Sequence, residues 1–435
     1  MENNQAHLKR HVGLFAAFST VMGTVIGAGV FFKVSSVTQN TGSVGMALLA
    51  WLAGGILTIA GGLTSAELAA SIPETGGAIK YLEVTYGKLP AFLMGWSQIL
   101  IYFPANIAAL SIIFGTQFVN LFHLSNWYIV PIAIIAALTI TGINLLGTKY
   151  GARLQSWALI AKLIPLAIII IFGLFAPNNV HMSLLPAGTT FAHTMTGFSG
   201  GLLATLFAYD GWLTIGNIAG EMKNPKRDLP LAIGLGLTGI MVVYLGINFV
   251  FLKTLPISDL AGNLNAASMA SGKLFGAIGG KLVTIGILIS VYGAINGYTM
   301  TGMRVPYAMA KEDQLPMSKH LKKLSNTFVP YMAGWLQIGI AILMMLVGSF
   351  DLLTDMLIFV MWFFYIMVFY AVIKLRRMKP ELERPYKVPL YPILPLIAIL
   401  GGTFVLITTM ITQPILALTG IGITLLGIPV YYKQK

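Results

Sequence analysis

Residues 23–32, GTVIGAGVFF, lie where a first membrane-spanning helix should run without interruption. Gly23, Gly27 and Gly29 fall within seven positions, and apolar residues flank them on both sides. Each glycine costs a helix about 1 kcal/mol relative to alanine. A broken helix in lipid also leaves backbone groups without partners, which is tolerated only where the backbone is buried in protein or lines a cavity. The stretch therefore predicts a first helix that is broken at a functional cavity.

The composition is that of a polytopic membrane protein. Of 435 residues, 57% are hydrophobic and 9% are charged, whereas about a quarter of an ordinary soluble chain is charged. Many apolar stretches reach about 20 residues, the length that crosses about 30 Å of hydrocarbon. We therefore predict an all-α membrane protein with twelve transmembrane helices and no soluble domain. The predicted spans are 13–38, 44–70, 90–121, 127–147, 154–176, 193–220, 229–252, 274–303, 330–349, 352–375, 391–411 and 414–432.

The distribution of basic residues predicts the orientation in the membrane. The formal net charge is +13, and a cytoplasmic N-terminus puts 22 of the 27 Lys and Arg residues on the cytoplasmic side, as the positive-inside rule requires. Both termini are then cytoplasmic in a multi-pass protein of the plasma membrane, and the basic charge indicates topology and anionic lipid rather than nucleic acid. Four lysines are assigned to the outer side: Lys33, Lys253, Lys273 and Lys281.

A second interruption, at Tyr209–Gly211, falls in the sixth predicted span. The second break comes five spans after the first, so the second unit of five helices would start in the opposite orientation. This arrangement is expected of an inverted repeat of five plus five helices followed by two extra helices. We predict one transporter domain over 1–435, with a first repeat at 13–176, a second at 193–375 and the last two helices at 391–432.

Two breaks that face each other would form a binding site for a zwitterion. New helix N-termini offer N–H groups and partial positive charge to a carboxylate, and new C-termini offer carbonyls to an ammonium group. Glycine allows close approach because it has no Cβ. The alternative is that Gly23 and Gly27, four residues apart, serve only close helix packing. The second break favours the binding site.

Several motifs, in this order, resemble those of bacterial L-type amino acid transporters of the amino acid–polyamine–organocation superfamily. The resemblance covers nearly the whole chain and is strongest to alanine–serine–cysteine and serine–threonine exchangers. It implies a LeuT-type fold and sodium-independent exchange of small neutral L-amino acids such as alanine, serine, cysteine, threonine and glycine. The motifs are Thr24 with Gly27–Phe31, Pro73–Gly77 with Tyr81, Gly147–Tyr150, Phe207–Trp212, Glu221–Pro225 and Val388–Pro392.

The resemblance also implies where the substrate binds. Its carboxylate should meet the N–H groups of Ala28 and Gly29, and its ammonium should meet carbonyls of Val25, Phe207 and Asp210. Phe207 is the expected aromatic outer gate. The full set of expected substrate-binding residues is Thr24, Val25, Ile26, Gly27, Ala28, Gly29, Phe207, Ala208, Tyr209, Asp210 and Trp212, with Tyr209 and Trp212 shaping the side-chain pocket or the gate behind it.

Lys162 lies in the middle of the fifth predicted span. A lysine at this depth should face the protein interior and have a partner. By resemblance, its ammonium would occupy the place of a coupling sodium ion, donating to a carbonyl near Gly23 and to the hydroxyl of Ser290. Burial would favour the neutral amine, so proton coupling stays open. Tyr244 in the seventh span is a second candidate, either as a conformational gate residue or as a helix–helix hydrogen bond.

Other functions and partners receive less support from the sequence. Asp210 could attract a cationic amino acid or a polyamine, although an aspartate at a helix break more often caps N–H groups. A channel would need rings of polar or charged residues, and the scattered histidines indicate neither an enzyme nor a metal site. No cofactor is expected. The chain has no cysteine, so we expect it to act without a disulfide-linked heavy subunit.

Overall fold

The computed structural model describes residues 13–72, 76–178, 180, 182–186, 188–213 and 222–434. Three predicted features fall partly or wholly outside these residues. They are the last seven residues of the sixth predicted span (214–220), Glu221, and residues 73–75 of the Pro73–Gly77 turn.

The described residues form helices joined by short turns and loops. A π-helical turn at Gln98–Tyr102 joins α5 to α6, and a 3-10 turn at Asn126–Tyr128 precedes α7. The α-helices are α1 (Leu14–Val25), α2 (Gly29–Thr41), α3 (Val44–Ser71), α4 (Ala78–Tyr86), α5 (Lys88–Ser97), α6 (Phe103–Leu121), α7 (Ile129–Leu146), α8 (Thr148–Phe175), α9 (Phe191–Ala208), α10 (Pro225–Thr254), α11 (Ile257–Leu260), α12 (Ala266–Gly302), α13 (Arg304–Lys311), α14 (Ser318–Leu321), α15 (Tyr331–Val347), α16 (Phe350–Met378), α17 (Ile393–Thr412), α18 (Pro414–Leu425) and α19 (Gly427–Gln434).

These helices make the chain a multi-pass membrane protein. Within the described residues, nine helices are long and apolar enough to cross a membrane, or ten if α1 and α2 count as one broken span. The ninth predicted span corresponds to α15, a shorter apolar helix of 17 residues. The sixth corresponds to α9, whose continuation is not described.

The first span is broken where the glycines predict. α1 ends at Val25 and α2 begins at Gly29, and the two axes differ by 46°. Ile26 follows α1 in an extended conformation, with φ −68° and ψ 93°. The helix cannot continue through this residue, so α1 ends with free carbonyls and α2 starts with N–H groups that lack helical partners.

Small residues bring α8 against α12, and this packing positions Lys162. An ideal Cβ on Gly286 would lie 3.2 Å from Pro165 Cγ, and one on Gly293 would collide with the Ala158 side chain. Without side chains at these two positions, the helices approach closely, as membrane helices with small interfacial residues do. Lys162 lies between Ala158 and Pro165 on α8 and is therefore held at the helix interface.

Each broken helix packs against the helix that follows the other break. α1 contacts α10, and α9 contacts α3, while α2 lies along α9. Glycines again permit the approach, because a Cβ on Gly54 of α3 would lie 3.1 Å from Thr205 Cβ of α9. This crossed packing brings the two breaks together in the interior of the protein.

Candidate functional site

The break between α1 and α2 touches the turn that follows α9, which is the predicted second break. After α9 ends at Ala208, the chain turns through Gly211, whose φ of +107° suits glycine. An ideal Cβ on Gly29 would lie 2.7 Å from Ala208 Cα, and one on Gly211 would lie 3.0 Å from the Thr24 carbonyl oxygen. Gly29 and Gly211 are therefore required by backbone contact between the breaks.

A cavity of about 210 Å³ lies between the breaks. It is smaller than the about 300–1,000 Å³ of sites for drug-sized ligands, so it suits a compact molecule. Most of the predicted site residues line it, whereas Tyr209, Trp212 and Tyr244 do not. The predicted residues in its wall are Thr24, Val25, Ile26, Gly27, Ala28, Gly29, Lys162, Phe207, Ala208, Asp210 and Ser290.

The cavity extends from the breaks in one direction. Beyond the breaks, its wall is formed by Gln155 and Ala158 in the first half of α8 and by Gly297 and Thr301 in the last half of α12. On α2, only Gly29 contributes. The cavity therefore extends toward the membrane face at which α8 begins and α12 ends, and away from the face at which α2 ends.

The backbone groups at the break match part of the expected zwitterion site. α2 starts without a side-chain cap and without an acidic residue in its first turn, so its first N–H groups are available to an anion. Some carbonyls expected for the ammonium already accept hydrogen bonds. The Val25 oxygen accepts from the Tyr244 hydroxyl at 2.9 Å, and the Phe207 oxygen accepts from the Asp210 N–H at 3.2 Å. Each carbonyl retains a second lone pair.

Lys162 holds the end of α1. Its side chain is 6% exposed, and its Nζ donates to the carbonyl oxygens of Gly23 and Ile26, each at 2.5 Å. The bond near Gly23 agrees with the prediction. The expected bond to Ser290 does not form, since the buried Ser290 Oγ has no hydrogen-bond partner among the described residues. The free carbonyls of a helix C-terminus carry partial negative charge, which makes them better acceptors than a serine hydroxyl.

Tyr244 joins the two breaks from behind the cavity. This fully buried side chain of α10 places its hydroxyl 2.9 Å from the Val25 oxygen and 3.0 Å from the Ala208 oxygen. One phenol thus bonds to the backbone at both breaks, which is more than an ordinary contact between two helices.

Tyr209 and Trp212 lie behind the second break. The Tyr209 hydroxyl donates to the Trp51 carbonyl at 3.1 Å. The centroid of the Tyr209 ring lies 5.0 Å from that of the Tyr244 ring. Trp212 stacks on Phe369 with 6.3 Å between ring centroids. Both side chains are buried, and they support the turn from behind rather than forming the cavity wall.

Asp210 is held by tyrosines that sequence reasoning missed. Its carboxylate accepts from the Tyr102 hydroxyl at 2.5 Å and from the Tyr365 hydroxyl at 3.1 Å. It also accepts from the N–H of the next residue, Gly211. Tyr102 ends the π-helical turn at Gln98–Tyr102, and Pro104 follows it. Such π-helical turns are frequent at functional sites. In the sequence, the signal for this one was Pro104, a proline in the middle of an apolar span.

Phe207 closes the cavity on the side toward the end of α2. It packs edge-on against Phe350 of α16, with ring centroids 5.8 Å apart. Lys33, which we had assigned to the outer side only as a topological charge, is instead fully buried beside these rings. Two aspartates of α16 pair with it, and it is this pairing that permits a lysine inside the protein.

Comparisons with known proteins agree with this architecture. A family model described as "Amino acid permease" matches residues 12–428. The "Serine/threonine exchanger SteT" of Bacillus subtilis (strain 168) is 44% identical over 437 residues, covering 100% of this chain and 99% of that protein. The "Cystine/glutamate transporter" of Homo sapiens is 30% identical, covering 98% of this chain and 86% of that protein. The human "Asc-type amino acid transporter 1" is 28% identical, with 98% and 82% covered.

Proposed function

This chain belongs to the amino acid permease family, and we propose that it is a secondary transporter that exchanges small neutral L-amino acids across the membrane. Like the relatives described above, it is a transporter and not an enzyme. A relative that is 44% identical over its full length exchanges serine and threonine, which supports the substrate class. The observation that carries the proposal is the small cavity between two helix breaks that touch each other.

The binding mode follows from the chemistry of the breaks. The substrate carboxylate binds the uncapped N–H groups of Ala28 and Gly29 at the start of α2, where the helix dipole favours an anion. The ammonium binds the remaining lone pairs of the Val25, Phe207 and Asp210 carbonyls. Since these contacts involve only backbone groups, the volume left over selects small side chains, and about 210 Å³ leaves little space beyond the zwitterion itself.

We also propose twelve spans in a LeuT-type fold, with inverted repeats at 13–176 and 193–375 and two further helices at 391–432. The crossed packing supports this proposal. The first helix of each repeat contacts the second helix of the other, as α1 contacts α10 and α9 contacts α3. Exchange by alternating access then follows if one set of helices rocks against the other around the breaks. Both termini would be cytoplasmic in the plasma membrane, and the chain, which lacks cysteine, would act alone.

Sodium independence is part of the proposal. Lys162 supplies a cationic group to the Gly23 and Ile26 carbonyls, which are acceptors of the kind that would coordinate Na⁺. The alternative, a proton-coupled or cationic amino acid or polyamine transporter, receives less support. Asp210 is its candidate cation receptor, but that carboxylate already accepts from two tyrosines and one backbone N–H.

Reconstituted transport tests the proposal. Proteoliposomes loaded with unlabelled alanine or serine should take up labelled serine, whereas empty proteoliposomes should not, with or without sodium. Competition by each of the twenty amino acids then defines the substrate class, and small neutral residues should compete best. Uptake into empty liposomes that depends on an inward sodium gradient would contradict the exchange mechanism.

A further inference from the structure

Three side-chain amides form a hydrogen-bonded cluster beside the far end of the cavity. We define the amide cluster as Asn144 of α7, Gln155 of α8 and Asn296 of α12. The Asn144 Nδ2 donates to Asn296 Oδ1 at 2.8 Å, and the Asn296 Nδ2 donates to Gln155 Oε1 at 3.0 Å. Asn144 and Asn296 are buried, and of the three amides only Gln155 lines the cavity.

Two backbone carbonyls set the orientation of the amide cluster. The Asn144 Nδ2 also donates to the Ile140 carbonyl at 3.0 Å, and the Asn296 Nδ2 also donates to the Gly151 carbonyl at 2.9 Å. A carbonyl oxygen only accepts, so each asparagine must turn its NH2 group toward it. The Asn296 NH2 group then faces Gln155 and requires an acceptor, which fixes Gln155 Oε1 on that side. The Gln155 Nε2 makes no hydrogen bond to another described residue, and it is the end of the amide left for the cavity.

Gln155 lies between the helix breaks and the face of the protein at which α8 begins and α12 ends, which we call the inner face. It precedes Lys162 by seven positions, so the two share one face of α8 and are about 10 Å apart along the helix. The wall between them is formed by small residues such as Ala158 and Gly293. An ideal Cβ on Gly297 would lie 3.3 Å from Gln155 Nε2. The glycine therefore leaves room for the amide.

The free NH2 group of Gln155 selects one end of a zwitterion. An amide NH2 group only donates, and an ammonium group also only donates, so of the two charged groups of an amino acid only the carboxylate can accept from it. A hydrogen bond to an ionised acceptor is stronger than one between neutral groups. A substrate that travels between the breaks and the inner face passes this donor on a wall of small residues.

We propose that Gln155 binds the substrate carboxylate at a second subsite, on the path between the helix breaks and the inner face, and that Asn296 is its positioning residue. The proposal rests on the proposed function in taking an amino acid as the ligand. The subsite lies on one side of the breaks only. It therefore affects substrate that arrives from the inner face and not substrate that arrives from the outer face.

Exchange measured from each face tests the proposal. Right-side-out and inside-out vesicles from the same cells give the KM for L-serine at the outer and inner faces, with the opposite face saturated. Gln155→Leu removes the NH2 group and should raise the inner KM by about three- to tenfold, while the outer KM should change by less than about twofold. Gln155→Glu still accepts from Asn296 but turns a carboxylate oxygen toward the cavity. Repulsion of the substrate carboxylate should then raise the inner KM further than Gln155→Leu does.

The matched control is Gln337→Leu. Gln337 of α15 is another buried amide with one hydrogen bond, from its Nε2 to the Tyr298 carbonyl at 3.4 Å, but it does not line the cavity. It should change neither KM. An inner KM unaffected by Gln155→Leu would overturn the proposal, as would equal increases at both faces. A lower inner KM with Gln155→Glu would also overturn it, since the side chain would then meet the ammonium.

A labelling experiment tests the subsite without transport, because the chain has no cysteine of its own. Thr301→Cys places a single thiol in the inner part of the cavity wall, where a membrane-impermeant reagent reaches it in inside-out vesicles. L-serine should slow the reaction, whereas ethanolamine, which lacks the carboxylate, should not, and adding Gln155→Leu should abolish the protection. Equal protection by both compounds, or protection that persists with Gln155→Leu, would overturn the proposal. A chain that fails to exchange amino acids would refute the proposed function and leave the subsite to be judged by this protection alone.

Discussion

Replacing Lys162 with alanine removes the side chain that binds the Gly23 and Ile26 carbonyls at the C-terminal end of α1. Its Nζ donates to the carbonyl oxygens of Gly23 and Ile26, and both residues also line the cavity. The groups proposed to bind the substrate, at Ala28 and Gly29, make no hydrogen bond to Lys162. We therefore expect Lys162→Ala to impair movement of the broken helix far more than it impairs binding.

The geometry sets the size of the effect. Each buried acceptor left without a donor costs about 1–3 kcal/mol, so the two carbonyls cost about 2–6 kcal/mol together. Water in the cavity will restore part of this loss, and we take the lower end. A change of about 2 kcal/mol corresponds to about 30-fold in an equilibrium between conformations. We expect the exchange rate to fall by at least about tenfold and the substrate Kd to change by less than about threefold.

The assay pairs equilibrium binding with exchange rate on the same purified variant, with sodium present and absent. Lys253→Ala is the control, because it removes a nearly buried lysine that bonds to the Leu174 carbonyl, away from the cavity. Wild-type exchange by Lys162→Ala would refute the reasoning. Recovery of exchange in sodium alone would support it further, since sodium would then replace the ammonium at the Gly23 and Ile26 carbonyls.

Two other changes separate the roles of the backbone at the breaks. Tyr244→Phe leaves the Val25 and Ala208 carbonyls without their shared donor, and it should reduce apparent affinity or turnover by about three- to tenfold; unchanged kinetics would leave the tyrosine a packing residue. Gly27→Ala should fold normally, because its Cβ would meet only the Val25 oxygen at 3.8 Å, and it should raise the KM for alanine by filling the cavity. Gly29→Ala, by contrast, should lower thermal stability as well, since its Cβ would lie 2.7 Å from Ala208 Cα; equal thermal stability of these two variants would contradict this distinction.

Features that stand out locally were predictable from the sequence. Three glycines within an apolar stretch predicted the break between α1 and α2, because glycine weakens a helix wherever it occurs. Lys162 was expected to face the interior and to have a partner, because a cation at that depth needs one. These two expectations required only the residue and its immediate surroundings, whereas the choice of a carbonyl near Gly23 as the partner came from the family resemblance.

Features that depend on two distant segments were not predictable in this way. Lys33 and Asp351 are 318 positions apart, and Tyr102 and Asp210 are 108 positions apart. A single sequence does not reveal which helices lie side by side, so Lys33 near the end of a span resembled an ordinary outer-side charge. Asp351 and Asp355, one turn apart in the first turns of a span, were the local sign that a buried cation needed a partner.

The two buried lysines act on different halves of the same broken helix. Lys162 of α8 binds the Gly23 carbonyl of α1 and the Ile26 carbonyl directly after it, and Lys33 of α2 binds carboxylates of α16. A continuous helix would transmit any movement at one end directly to the other. With the chain extended at Ile26, α2 can separate from α16 while α1 remains bound to α8. In the proposed cycle the bend therefore has two functions, since it exposes the groups that bind the substrate and also lets α2 move while α1 is still held.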